Sequence, residues 1–337
     1  MPAFGRLGLI GLLAGLAGSA LLIATQDRVL PAVFLGGLAG VALALMLRPV
    51  PGAFLDGAMT GGAFGVPLWA VCSVIAIPVL SGDDAEWQAA ELRALFPDLV
   101  GSSVVVTNSR GIFDRPIAEY VLGLVLAIAK DLPTTLQLQR EGSWQHRETQ
   151  RIDTQCALVI GTGSIGRAVG ALLRAAGMSV SGVGRTARGD DADLGVVHAA
   201  SDLAELLPAA DYVVVAAPLT DSTRGMFGAE AFARMKGTAW LVNVGRGALL
   251  VEDDLLTALG SGEIGGAALD VFRQEPLPTD HPLWTMPNVI VSPHMSGDFV
   301  GWLEALVALF ADNVDRWLAG QPLRNEVDKQ AGYVTST

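Results

Sequence analysis

The rhythm of hydrophobic positions changes near residue 81. Before it come three uncharged runs, Leu7–Ala24, Val29–Leu47 and Ala58–Leu80. Each has about the ~20-residue length that crosses a bilayer core. The links "TQDR" and "RPVPGAFLDG" between them are short and carry the few charges. Glycines four apart recur at Gly11/Gly15, Gly36/Gly40 and Gly57/Gly61/Gly65, a spacing that lets helices approach closely. Residues 1–80 are therefore expected to be apolar helices in a membrane, a hairpin plus one span. Two other readings stay open. The first run could be a signal peptide, with Arg6 and "GSA" as its ends, or all three could be buried helices of a soluble protein.

From Ser81 charges return, and apolar stretches alternate between strand-like and helix-like spacing. "SVVVTN" (Ser103–Asn108) reads as a strand. "RPIAEYVLGLVLAIAKDL" reads as a helix to Lys130, with Pro116 near its start. "ALVIG" is a strand, and Ser164–Ala176 a helix closed by Gly177. "SVSGVG" is the next strand. Helices follow over Ala204–Leu207, Ala229–Met235 and Glu252–Leu259, the last stopped by Gly260. "YVVVAAP", "AWLVNV", "GGAALDV" and "NVIVSP" are strands, and a helix runs from Asp298 to about Leu318. Continuous apolar strands alternating with helices predict an α/β fold, a Rossmann-type doubly wound parallel sheet covered on both faces. The expected organisation is apolar helices over 1–80, a connector over 81–104, a dinucleotide-binding domain over 105–296, a C-terminal helix within 297–327 and a tail over 328–337.

The 337 residues carry a formal net charge of -12, which argues against nucleic acid or anionic lipid as a general partner. Mean hydropathy is +0.45, and the excess sits in the N-terminal runs. Two cysteines, Cys72 and Cys156, imply no disulfide framework and fit a reducing compartment. No residues are assigned to a metal.

"LVIGTGSIGRAVG" (Leu158–Gly170) is the strongest local signal. Gly161 would make the tight turn, Gly163 would let backbone approach a pyrophosphate, and Gly166 would pack helix on strand. The N–H groups of Thr162, Ser164 and Ile165 would face the phosphates at the positive end of the helix dipole. The next strand ends in "GRTARG", where an NAD site usually has Asp or Glu. Arg185, Thr186 and Arg188 could instead grip a 2′-phosphate, which points to NADP. Arg185 stacked on the adenine of NAD is the alternative.

Arg246 in "VGRG" follows a strand end between two glycines, where backbone could approach a ligand. His294 follows "VIVSP", also past a strand end. The other histidines, His146, His198 and His281, read as solvated. Glu275 in "RQEPLP" could be a loop charge, or could pair with His294 and stabilise imidazolium.

Several ordered motifs extend the picture. "VVVTNSRGIFDRPIAEYVLGLVLAIAK", "GTGSIG", "AAPLTDSTRGMF", "LVNVGRGALLVEDDLLTAL", "GGAALDVFRQEPLP" and "NVIVSPHMSG" resemble, in this order, the D-isomer-specific 2-hydroxyacid dehydrogenases over residues 102–326. The resemblance implies NAD(P)-dependent reduction of small 2-keto acids, of the glyoxylate or hydroxypyruvate type. It implies that Arg246 binds substrate, His294 donates the proton and Glu275 tunes His294. It implies further cofactor contacts at Pro218, Thr223, Val244, Gly245 and Asp270, the last toward the nicotinamide carboxamide. It also implies pairing of two copies through "EYVLGLVLAIAK". The family's N-terminal flavodoxin-like unit, with its carboxylate-binding glycine loop, is replaced by the apolar runs, and "SGDDAEWQAAELRALFPDLVG" holds no such loop. A nicotinamide-binding module with little turnover is the competing reading. Arg6 and Arg48 favour an N-terminus in the cytoplasm, which puts the rest outside. An NADP site needs the cytoplasmic cofactor pool, and the expectation is a membrane-associated protein with its catalytic domain in the cytoplasm.

Overall fold

The computed structural model describes residues 100–101, 103–329 and 334. The apolar runs of 1–80, and with them the membrane segment and its orientation, lie outside the described residues. Among the described residues no single helix is long and apolar enough to cross a membrane.

The described chain folds around one eight-stranded sheet. In chain order come helices α1 (Asp114–Ala129) and α2 (Leu132–Glu141), strand β1 (Cys156–Ile160), helix α3 (Ser164–Ala175), and strands β2 (Ser179–Gly184), β3 (Arg188–Asp191) and β4 (Gly195–Ala199). Then follow α4 (Leu203–Leu206), β5 (Tyr212–Val215), α5 (Ala229–Arg234), β6 (Trp240–Asn243), α6 (Glu252–Ser261), β7 (Gly266–Leu269), β8 (Val289–Val291) and α7 (Trp302–Leu318). The strand order is β3-β4-β2-β1-β5-β6-β7-β8. Every pairing is parallel except β3 with β4. The order turns around at β1, as the doubly wound fold requires, so the turn after β1 opens at the switch point.

Strand alternation sorts the core into two layers. Leu158, Ile160, Val213, Val215, Leu241 and Leu269 face Phe232 of α5 and Leu255 and Leu259 of α6. Ala157, Val159, Val214, Val242 and Ala268 face Val121 and Val125 of α1 and Val169 and Leu173 of α3. Both faces are covered, which is why the strands read as unbroken apolar runs.

Several expectations change. Ser103–Asn108 is not a strand. Thr107 forms one isolated bridge with Glu326, and Val327 N–H donates to Val106 O at 2.7 Å. Among the described residues this run pairs only with the short tail segment around Glu326, and no ladder develops. Helix α6 passes through Gly260 to Ser261, and the left-handed residue that ends it is Gly262 (φ 72°). Helix α7 begins at Trp302, not at Asp298, because Gly301 at its start is left-handed (φ 97°). The polar hairpin β3–β4 and helix α2 have no counterpart in the apolar pattern of the sequence.

Candidate active site

Parallel register builds the site. Ile160 pairs with Val215, Val215 with Asn243, Asn243 with Leu269, and Leu269 with Val291. The last residues of five strands therefore lie in one row. The next residues, Gly161, Ala216, Val244, Asp270 and Ser292, leave the sheet along the same carboxyl edge. Four strand spacings of ~4.8 Å put about 19 Å between the turn at Gly161 and the segment holding His294. Residues 133 positions apart in sequence, Gly161 and His294, thus share one cleft edge.

At the switch point Gly161 is left-handed (φ 105°), and a Cβ there would lie 2.6 Å from Ala216 O. A Cβ on Gly166 would sit 1.9 Å from Gly161 O. Both glycines serve close packing. A Cβ on Gly163 would meet nothing within 4 Å: the space beside the start of α3 is open. Gly163 is the N-cap of α3 and no side chain caps the helix, so the first-turn amides, Ser164 and Ile165 among them, remain available to an anion. The residues present fit a dinucleotide pyrophosphate here. Ser164 Oγ donates to Asp114 Oδ1 at 3.0 Å, tying the starts of α1 and α3 together. Thr162 packs on the end of β2, where a Cβ on Gly184 would lie 2.7 Å from Thr162 Oγ1.

Arg185 and Thr186 lie exposed on the loop after β2. Arg188 begins β3, and its Nε donates to Asp191 Oδ2 at 3.0 Å. Thr223 Oγ1 donates to Pro218 O at 2.7 Å and accepts from Thr220 N–H at 2.8 Å. This hydroxyl shapes its own turn and holds Pro218 at the edge.

Arg246 sits half-buried past β6. Asn243, fully buried, shapes that loop: its Oδ1 accepts from Gly245 N–H at 3.1 Å and its Nδ2 donates to Arg246 O at 3.0 Å. Arg246 Nη1 donates to Gly245 O at 2.6 Å. The flanking glycines also serve close packing. A Cβ on Gly247 would lie 1.9 Å from Phe272 C, and one on Gly245 2.9 Å from Leu249 Cδ1. Buried Val244 packs in the core with Val242.

His294 Nδ1 and Glu275 Oε2 are 2.7 Å apart. Glu275 is fixed from behind, since Phe272 N–H donates to its Oε1 at 2.7 Å. Both side chains keep about a quarter of their surface exposed, 29% and 27%. His294 has a left-handed backbone, φ 51°. Asp270 holds it there. Its main-chain oxygen accepts from His294 N–H at 2.8 Å. Its carboxylate accepts from Ser292 Oγ (2.6 Å), Met295 N–H (2.9 Å) and Ser296 N–H (2.8 Å). Asp270 is 1% exposed, so in this structure its carboxylate organises the histidine segment. Burial raises the Tyr120 hydroxyl, which hydrogen-bonds to Ser292 and feels Asp270. Burial also raises the Asp298 carboxyl, with Asp270 adding and His294 opposing.

Of the remaining histidines, His146 is exposed, but His281 is not solvated. Its Nδ1 accepts from Leu283 N–H at 3.3 Å, its Nε2 lies 3.4 Å from Glu252 Oε1, and its side chain is 14% exposed. Nothing in the sequence alone assigns a role to Asn243, Ser292, Tyr120 or Asp191. A polar Asn inside "LVNV" was the one available signal.

With this geometry in place, the comparisons with known proteins define the class. Residues 122–296 match the family described as D-isomer specific 2-hydroxyacid dehydrogenase, NAD binding domain. A glyoxylate reductase from Korarchaeum cryptofilum is 32% identical over 234 residues, covering 67% of this chain and 70% of that protein. A D-3-phosphoglycerate dehydrogenase from Methanocaldococcus jannaschii is 34% identical over 227 residues, and the aligned part spans only 43% of its length. A D-isomer specific 2-hydroxyacid dehydrogenase from Xanthobacter autotrophicus Py2, solved with NADPH and MES, superposes with a TM-score of 0.62 at 35% identity, covering 70% of this chain and 98% of that one. The chain belongs to the D-isomer specific 2-hydroxyacid dehydrogenase family. That family is one of oxidoreductases, and the matched part is its nicotinamide-binding domain.

Proposed function

We propose that this protein is an NADP-preferring reductase of small 2-keto acids, of the glyoxylate or hydroxypyruvate type. The observation that carries the reading is the His294–Glu275 pair at 2.7 Å, on the same sheet edge as the open phosphate turn at Gly163 and with the Arg246 loop between them. The glyoxylate reductase and the NADPH complex among its relatives support it.

In this reading the first turn of α3 holds the pyrophosphate, Arg185, Thr186 and Arg188 take the 2′-phosphate, and Pro218, Thr223, Val244, Gly245 and Asp270 border the rest. NADPH, when bound, supplies the hydride. Arg246 holds the substrate carboxylate and polarises the ketone. With Nδ1–H donated to Glu275, Nε2 is the His294 nitrogen that gives the proton to the carbonyl oxygen as the carbon gains hydride. The Glu275 carboxylate favours the charged imidazole that this step consumes. One keto acid, one hydride and one proton become one 2-hydroxy acid. The expected assembly is a homodimer through α1, and the composition of residues 7–80 carries the further proposal of a membrane tether that keeps the catalytic domain in the cytoplasm.

A second reading, a nicotinamide-binding module with little turnover, draws on residues 81–101, where the family's carboxylate-binding loop is not recognisable. NADPH oxidation by the purified full chain separates the two. Glyoxylate or hydroxypyruvate should accelerate it, and His294→Ala should slow it by about 10²–10⁴-fold, the usual worth of a general acid. NADPH binding with no keto-acid-dependent oxidation decides for the module.

A further inference from the structure

A second charged cluster lies behind the loop that follows β2. Asp191 ends β3 with its side chain 3% exposed, and it gathers five donors. Arg167 Nη1 and the amides of Asp193 and Leu194 reach Oδ1 at 3.1, 3.1 and 3.2 Å. Arg167 Nη2 and Arg188 Nε reach Oδ2 at 2.9 and 3.0 Å. Burial pushes this carboxyl up, but Arg188, the two amides and Arg167 outweigh it and hold it below the ordinary carboxylate value. The cluster is anchored to α3: a Cβ on Gly170 would lie 2.5 Å from Leu194 Cδ2 and 2.9 Å from Asp193 O.

Register fixes where this cluster stands. Gly184 pairs with Ala199 of β4, and Arg188 pairs antiparallel with Val197 of the same strand. The chain leaves β2 at the carboxyl edge and returns at once as β3. Arg188, opposite Val197, therefore lies two residues in from that edge, directly after the loop of Arg185 and Thr186. Its bond to Asp191 uses Nε alone and leaves the Nη1–Nη2 edge of the guanidinium to another acceptor. With Nε occupied, that edge still presents two parallel N–H donors and can take two phosphate oxygens at once. Arg167, Arg188, Asp191 and Asp193 sum to zero charge, so the cluster contributes geometry more than long-range attraction.

We propose that Asp191 is a positioning residue for cofactor choice: it clamps Arg188 through Nε so that the Nη edge meets the adenosine 2′-phosphate. The proposal rests on the NADP reading above and adds the device that makes it selective. A free surface arginine loses side-chain entropy on capturing a phosphate. A clamped one has already been ordered by folding.

The test is equilibrium binding of NADPH and of NADH to the full chain. Wild-type protein should bind NADPH more tightly. Arg188→Lys keeps the charge, but one ammonium cannot span both Asp191 and the phosphate. It should weaken NADPH about tenfold, the scale of a charge-assisted hydrogen bond, and leave NADH unchanged. Asp191→Asn should also weaken NADPH selectively, and should add nothing in an Arg188→Ala background. Tighter NADPH binding by Asp191→Asn would make the carboxylate a mere charge brake and overturn the clamp. So would Arg188→Lys with wild-type NADPH affinity, or parallel loss of both cofactors. Should Asp191→Asn fail to fold, the exposed Arg188→Lys decides alone. A wild-type protein without NADPH preference sinks both the NADP reading and this inference. A preference that neither variant disturbs sinks the inference only.

Discussion

Gly163→Ala isolates the phosphate turn from the fold around it. The residue has φ -74° and ψ -169°, open to any L-amino acid, and a Cβ there meets nothing within 4 Å. Alanine is a poorer N-cap than glycine, costing up to about 1 kcal/mol. Reduced freedom of the unfolded chain returns about 0.4–1 kcal/mol. Thermal stability should therefore barely change. The added methyl would stand where a pyrophosphate approaches the backbone, and forcing a methyl into an occupied space costs about 1–3 kcal/mol. NADPH should bind roughly 5- to 150-fold more weakly. Gly166→Ala is the contrasting variant. Its Cβ would fall 1.9 Å from Gly161 O, a backbone atom that cannot swing aside. A helix-propensity gain of about 1 kcal/mol would not offset this, so the melting temperature should drop sharply. Titration of NADPH fluorescence and a thermal melt on the same samples read both effects. Wild-type NADPH affinity in folded Gly163→Ala would refute the placement of the pyrophosphate.

Glu275→Gln keeps an acceptor for Phe272 N–H but removes the charge facing His294. Its pH profile for keto-acid reduction should shift to lower pH, and a shift to higher pH would contradict the pairing. Light scattering of the full chain should report a homodimer, and a folded monomer at micromolar concentration would remove the α1 pairing. The full chain should fractionate with membranes and need detergent for release, and recovery as a monodisperse protein without detergent would remove the tether. Burial, with Asp211 adding, pushes the Tyr212 phenol from 10.0 up to about 12. A raised value means stability that is whole below about pH 10 and is lost as pH climbs through about 12. Tyrosinate absorbance and unfolding should follow that window, and titration of Tyr212 at its ordinary value would contradict its burial.

The parallel strands were legible because burial on both faces makes each an unbroken apolar run, and their ends then locate the edge where His294, Arg246 and Glu275 emerge. What escaped has physical causes. The β3 strand reads "RGDD", is mostly exposed, and offers no alternation to detect. The start of α7 depends on the left-handed Gly301, and nothing in "GDFVGW" marks which residue will take that conformation. In the sequence Gly245 and Gly247 read only as room for a ligand; that they also make room for Leu249 and Phe272 is a tertiary fact no local pattern carries. The roles of Asn243 and Asp270 likewise depend on which amides the fold brings to them. His281 reads as solvated in the sequence because its partners, Glu252 and Leu283, come together only when α6 meets the loop before β8.

The left-handed backbone of His294 bears on how its chemistry can be dissected. Asp270 O and the surrounding amides hold residue 294 at φ 51° whichever side chain it carries. Alanine resists that conformation by roughly 1–2 kcal/mol, whereas glycine and asparagine enter it readily. An alanine variant therefore removes the imidazole and loads the hinge of the whole 292–296 segment at the same time. Asparagine removes the proton donor but accepts the same dihedral angles. The rate difference between His294→Asn and His294→Ala measures how much of the apparent worth of the acid belongs to the peptide that carries it.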